Sequence, residues 1–138
     1  MQYWLVKSEP DAFSWDQQVA NGTEPWTGVR NHAARNNLRA MQAGDRAFFY
    51  HSNVGREIVG IVEVARTAYP DPTAENGDWV CVDMRTVGRL PRPVSLAAIK
   101  ADPALQDLAL VRQSRLSVLP VSAPHWRHLC ALGGWREG

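Results

Sequence analysis

The sequence predicts an α+β fold: a small, strongly curved sheet or barrel of five or six mostly antiparallel strands, flanked by short helices. Three observations lead there. Strand-like runs follow one another in a block from Arg46 to Val87, separated by turns, which favours antiparallel neighbours. Helix-capping signals stand before and after that block rather than inside it. The 138 residues, 45% apolar and 21% charged, suit one domain (1–138) that buries its own core without staples.

Tyr3 to Val6 reads as a short buried strand, broken by Ser8-Glu9-Pro10-Asp11. Ser14-Trp15-Asp16-Gln17 is a capping box, and Trp15 and Val19 fall on one face of the helix it starts. Asn21-Gly22 ends that helix, and Thr23 to Arg30 reads as a loop. Asn31 caps a second helix with an apolar stripe of Ala34, Leu38 and Met41, stopped at Gly44. Arg46 to Tyr50 and Ile58 to Val64 are strands, and Gly60 within the second marks a bulge or a close approach to the backbone. Tyr69-Pro70-Asp71-Pro72 opens a loop that runs to Asp78. Trp79 to Val87 is a strand, ended by Pro91 and Pro93. Ser95 caps a short helix, Leu105 and Leu108 belong to a weaker helical piece, and Leu116 to Leu119 form the last strand. Ser122 caps a closing helix through Trp126, Leu129 and Leu132, ended by Gly133-Gly134.

Composition narrows the function classes. Fifteen Lys and Arg against fourteen Asp and Glu leave a net charge of +1, so no global excess advertises a polyanionic or polycationic partner. The two cysteines, Cys81 and Cys130, lack metal-ligand spacing. Buried thiols are expected and a single disulfide stays open, but no metal centre and no cofactor is expected. No secretory signal or membrane span is legible, which makes the cytoplasm the default compartment.

The charge is uneven along the chain. Between Thr27 and Arg56, Arg30, Arg35, Arg39, Arg46 and Arg56 face Asp45 alone, a local +4. A second run, Arg112, Arg115, Arg127 and Arg136, contains no acid. Such runs serve as solvated surface or as phosphate contacts, for which the planar guanidinium fork is suited. Two Arg-rich runs beside Trp-bearing loops turn the reading toward nucleic acid, with Arg30, Arg35, Arg39, Arg56 and Arg115 on the phosphate backbone. Both runs are then expected on the same side of the molecule as Trp26. The six Trp residues are core packing, a stacking site, or both. Enzyme signals are few: His51-Ser52 lacks a nucleophile-elbow context, and Glu9, Glu63 and Asp83 are isolated carboxylates.

Tyr3-Trp4-Leu5-Val6-Lys7-Ser8-Glu9-Pro10, then Pro25-Trp26-Thr27-Gly28-Val29-Arg30-Asn31 with Ala34-Arg35-Asn36, resemble the EVE domain. So do Phe49-Tyr50-His51-Ser52-Asn53, Gly60-Ile61-Val62-Glu63-Val64, Ala68 to Thr73, and Arg115-Leu116-Ser117-Val118 with Pro120-Val121. The resemblance runs in order from residue 2 to about residue 130. It implies a PUA-like curved barrel related to YTH domains. It also implies a non-catalytic module that binds nucleic acid, reading modified bases: modified cytosine in DNA for EVE, N6-methyladenosine in RNA for YTH. Lys7-Ser8 and Trp26 occupy places similar to those that help build the YTH base cage. The loop from Pro72 to Trp79 is shorter than in many members of the family.

The expected pocket has Trp26 as one wall and Tyr69 as a second. Lys7, Ser8 and Glu9 present polar groups to a flipped base, and Asn31, Tyr50, His51 and Ser52 line the remainder. Trp26, between Pro25 and Gly28, is expected in a loop, contributing little to the core. Two other readings stay open: a general PUA-like RNA-binding module, and an enzyme acting on a nucleotide or small molecule with His51 and Glu9 as acid and base.

Overall fold

A computed structural model describes residues 1–136; the last two residues of the expected domain lie outside the described ones. β1 (Tyr3–Ser8) buries Trp4, Leu5 and Val6 in succession, the mark of a strand covered on both faces. It lies between β3 (Arg46–His51), which runs parallel to it, and β6 (Val118–Val121), which runs antiparallel. β4 (Glu57–Pro70) and β5 (Val80–Ser95) form the long central hairpin, and β2 (Thr23–Pro25) closes the far edge. The order is β2-β5-β4-β3-β1-β6, a mixed six-stranded sheet with one parallel ladder.

The α+β class holds, but β2 and β6 remain the two edges, so the described ladder does not close into a barrel. Those edge strands have three and four residues, too few to extend the ladder round to each other. Bending comes instead from the β4–β5 pair, whose register shifts at four places.

Several boundaries differ from those expected, for local reasons. Thr23 to Pro25 pair with Arg85 to Asp83 where a loop was expected; three residues carry no legible periodicity. β4 continues to Pro70, opposite Val80. Pro91 and Pro93 do not end β5. Its register shifts between Arg89, opposite Gly60, and Val94, opposite Ile58, and the missing proline N–H groups fall in that irregular stretch. The last strand lies two residues later than expected, with Pro120 opposite Trp4 on the sheet's edge strand.

The helices start where their caps say. The Ser14–Gln17 capping box opens α1 (Trp15–Asn21), and the Asn31 side chain accepts the Ala34 N–H at 2.9 Å to open α2 (His32–Ala40). Ser95 and Ser122 cap α3 (Leu96–Ala101) and α5 (Ala123–Gly133), with the short α4 (Ala109–Arg112) between. Half of the expectation for α1 fails: Trp15 is buried, but Val19 is exposed, and Gln18 is the second buried residue. Its amide donates to the Met84 carbonyl and the Thr86 hydroxyl, so a polar side chain fastens the helix to β5.

Aromatic side chains fill the core. Trp126 stacks on Phe48 and Tyr3 at centroid distances of 4.0 and 4.5 Å, and Trp15 meets Phe49 edge-on at 5.3 Å. The Trp15 ring lies against Gly60: a Cβ there would sit 2.3 Å from its Cη2. Gly60 is thus a close-approach position, beside a register shift as well. Cys81 and Cys130 are free, buried thiols. No described helix is long and apolar enough to cross a membrane.

Candidate nucleic-acid interface

Beyond the end of β1 the chain turns sharply. The Glu9 carbonyl accepts the Ala12 and Phe13 N–H groups, and the Ser8 hydroxyl donates to the Phe13 carbonyl at 2.5 Å. That turn brings Phe13 up beside Trp26, whose backbone N–H continues the β2 ladder by donating to Val82 at 2.7 Å. The two rings meet edge-to-face at 6.1 Å, and a cleft of about 410 Å³ opens beside them. Lys7, Ser8, Glu9 and Trp26, all expected in the pocket, line it together with Phe13, Glu24 and Thr27.

The polar groups of the cleft have distinct states. Ser8 is committed to Phe13 through its hydroxyl and to Ser52 through its carbonyl. The Lys7 ammonium donates one hydrogen bond to the Ser114 carbonyl at 2.8 Å, leaving two N–H groups, and burial holds its pKa below the usual lysine value. Glu9 and Glu24 add two carboxylates to the rim. This rim accepts hydrogen bonds from N–H groups and repels phosphate.

The other expected pocket residues lie elsewhere. Tyr69 does not line the cleft: its hydroxyl binds Asp83 at 2.5 Å, which with burial raises the phenol's pKa, and the Arg66 guanidinium covers its ring at 3.7 Å. The aromatic ring that lies beside Trp26 in the cleft is Phe13. His51 faces α1, where its Nε2 accepts the Trp15 N–H at 3.0 Å. Burial, the largest influence, lowers its pKa, in keeping with an acceptor nitrogen. Tyr50 and Ser52 line a separate cleft on the other side of Lys7, and Asn31 lines a third with Arg115.

Four of the five arginines of the first Arg-rich run are paired in space with acids from distant segments, Arg56 being the exception among the described residues. Arg30 pairs with Asp71 at 3.0 Å, and Arg35 and Arg39 pair with Asp78 at 2.8 and 3.0 Å. Arg46 and Arg85 share Glu63. The Trp79 ring stacks on His32 and lies under Arg30 and Arg35, so these arginines fasten α2 to the 71–79 loop. The expected backbone role of Arg30, Arg35 and Arg39 therefore competes with ion pairs that the linear charge count could not show.

Asp71 is the fixed point behind the Trp26 loop. Its carboxylate, buried in the protein, accepts from the Gly28 N–H, the Arg30 guanidinium, the Thr73 N–H and the Thr73 hydroxyl. Burial alone would raise its pKa; the Thr73, Gly28 and Arg30 hydrogen bonds outweigh it and bring the value down to about 2 from 3.8. A depressed carboxyl contributes stability above its unfolded pKa and loses it as pH falls toward the folded one. Acidification from about pH 5 to about pH 2 is therefore expected to cost roughly 2 kcal/mol at this site alone. Asp71→Asn should flatten that part of the acid limb, checked by denaturant unfolding at stepped pH; parallel curves for parent and variant would refute the assignment.

Residues 2–132 match the EVE domain family. The chain belongs to the EVE family. This EVE domain is similar to a protein of known crystal structure from Agrobacterium tumefaciens, 50% identical, with a TM-score of 0.97 covering 100% of this chain and 97% of that one. It is also similar to the human THYN1 protein, solved in complex with 5-methylcytosine-containing DNA. There the identity is 32%, the TM-score 0.90, and the coverage 99% of this chain and 100% of the other. The YTH domain of Zygosaccharomyces rouxii MRB1, solved with N6-methyladenosine RNA, shares the fold at 17% identity and a TM-score of 0.63, over 99% and 89% of the two chains. These likenesses bear out the fold class that the sequence predicts.

Sequence reasoning missed Phe13, Glu24 and Asp71. Phe13 lies in a turn without periodicity, and the Glu9 carbonyl's double acceptance together with the Ser8 hydroxyl brings it back to the cleft. Asp71 had a signal: an Asp between two prolines, followed by Thr73, is an Asx-turn pattern.

Proposed function

We propose that this EVE domain is a non-catalytic reader of modified nucleic-acid bases, modified cytosine in DNA foremost, working as one domain in the cytoplasm. The observation that carries the reading is the cleft at Lys7 and Trp26, where an aromatic wall meets a rim of hydrogen-bond acceptors. A base inside a duplex cannot be inspected all round, and flipping it out costs a few kcal/mol of unstacking. Stacking on an aromatic ring returns about 1–3 kcal/mol per base. Trp26, with Phe13 edge-on to it, supplies the wall. Glu9 and Glu24 accept from an exocyclic amine, as a carboxylate does from cytosine N4, and Lys7 donates to a ring or carbonyl acceptor. Arg115, beside Asn31, holds the strand. The likeness to human THYN1, solved with 5-methylcytosine-containing DNA, supports the cytosine assignment.

The enzymatic reading has less support. It needs His51 and Glu9 on one substrate, but His51 Nε2 accepts the α1 backbone N–H and His51 lines no part of the cleft that holds Glu9. The test is a binding screen of DNA and RNA oligonucleotides with cytosine or 5-methylcytosine at one position, at about 0.15 M salt. Burying the added methyl is expected to tighten binding about fourfold or more, equivalent to roughly 0.8 kcal/mol. Equal affinity for both bases in both backbones would remove the modified-base reading, and preference for RNA regardless of methylation would favour a general RNA-binding module.

A further inference from the structure

Lys7 stands between two clefts of opposite character. The first carries the Glu9 and Glu24 carboxylates. The second, about 310 Å³, is lined by Lys7, Tyr50, Ser52, Asn53, Arg56 and Lys100 among others. The chain has two lysines, and both are here. Among the described residues, none of Lys7, Arg56 and Lys100 has a carboxylate within ion-pair distance, whereas seven arginines elsewhere do. Arg66, Arg92, Arg115 and Arg127 also lack such a partner among the described residues, but here three unmatched cations converge on one cavity, and such a focus of positive potential attracts an anion.

The loop that presents Arg56 is held in an unusual shape. Asn53 and Arg56 both adopt left-handed backbone conformations, φ 69° and 50°, with Gly55 at 89° between them. Asparagine tolerates that region; arginine adopts it where the surroundings impose it. The imposing contact is the Arg56 carbonyl, which accepts the Leu96 N–H at 2.8 Å at the start of α3, the helix that carries Lys100. Arg56 and Lys100 are thereby fixed with respect to each other.

We propose that this second cleft seats a phosphodiester group of the strand whose modified base enters the first cleft. Lys7 joins the two, its ammonium on the boundary with two N–H groups left after the bond to Ser114. The division of charge gives direction: a phosphate is repelled from the Glu9–Glu24 rim and drawn to the Lys7–Arg56–Lys100 side, so a strand enters with its base on one side of Lys7 and its backbone on the other. The proposal rests on the base-reading function above. The shared chemistry is the phosphate group, from a nucleic-acid strand or free in solution.

The test uses the full chain with Arg56→Gln and Lys100→Gln, singly and together; both residues are exposed, and Lys7 is left intact because it serves both clefts. Affinity for single-stranded oligonucleotides with and without 5-methylcytosine is measured from about 50 to 300 mM salt. The double variant is expected to lose affinity for both oligonucleotides by the same factor, keeping the parent's methyl preference. Its slope of log affinity against log salt should fall by about 1.4, two phosphate-neutralising charges at about 0.7 each. A neutral methylphosphonate at the phosphate next to the modified base should weaken the parent and leave the double variant unchanged. Unchanged affinity and slope in the folded double variant would overturn the proposal. So would inorganic phosphate saturating the Ser52 and Asn53 amide shifts while oligonucleotide binding ignores both substitutions, which would assign the cleft to free phosphate. Absence of methyl preference in the parent is a separate outcome: it removes base reading, and with it the strand placement proposed here, while a slope change in the variants identifies a backbone contact alone.

Discussion

Trp26→Ala is expected to lower the unfolding free energy by about 3–5 kcal/mol, the range for truncating a buried tryptophan. In the molecules that remain folded it should weaken oligonucleotide binding by a further 1–3 kcal/mol or so. The side chain is only 7% exposed and lies edge-on to both Phe13 and Phe49, at 6.1 and 5.5 Å. The sequence placed Trp26 in a loop with little share in the core; its rings instead close the core at the point where the cleft begins. Since a domain's net stability is about 5–15 kcal/mol, the variant should be handled cold, with the folded fraction read by circular dichroism beside each titration. Trp26→Phe separates the two effects. It keeps an edge-on ring against Phe49, so most of the stability should return, while the smaller face recovers only part of the stacking. A folded Trp26→Ala protein that binds as tightly as the parent would sink the assignment of Trp26 as the base wall.

Gly60→Ala is expected to cost about 3 kcal/mol, the upper end of what overpacking a core does. Gly60 is not in the left-handed region, so the cost is steric alone. The new methyl would overlap the Trp15 ring, 2.3 Å from Cη2 and 2.5 Å from Cζ2 and Cζ3. That ring has nowhere to turn. It is buried, packed edge-on to Phe49, and its backbone N–H is tied to His51. Adding Trp15→Leu to the Gly60→Ala chain should make the second change less harmful than the same change alone, a coupling that urea unfolding of the double-mutant cycle resolves. A Gly60→Ala protein within about 0.5 kcal/mol of the parent would show that the ring can move aside.

The parts of this fold legible in the sequence were those written locally. Ser14, Asn31, Ser95 and Ser122 each announce a helix start within three residues, and each caps the helix expected of it. β1 and β3 are legible because consecutive buried residues leave a continuous apolar run. What failed depends on partners far along the chain. The Arg30–Arg39 charge looked free because Asp71 and Asp78 lie about forty residues away. The prolines of β5 looked terminal because the shift that shelters them is a property of the pair, not of the strand. In the candidate site, Lys7-Ser8 and Trp26 are singled out by the family resemblance, and they do share a cleft. Tyr69, expected as the second wall, instead shares a hydrogen bond with Asp83.

The neighbours of β1 set an order on synthesis. Its parallel partner β3 begins at Arg46, but its other partner, β6, begins only at Val118, and the Lys7 ammonium rests on Ser114, 107 residues downstream. A nascent chain that has left the ribosome as far as β5 therefore carries β1 with one side of its backbone unpaired. Its hydrophobic Trp4-Leu5-Val6 run is then an open template for another strand. Contacts this distant also slow folding, because the chain must close a long loop before they form. The two clefts that meet at Lys7 are therefore completed at different times: the first is lined by residues 7–27 and braced by β5, whereas the second waits for Lys100, Leu110 and Ser114, so the base side of the site is made before its phosphate side.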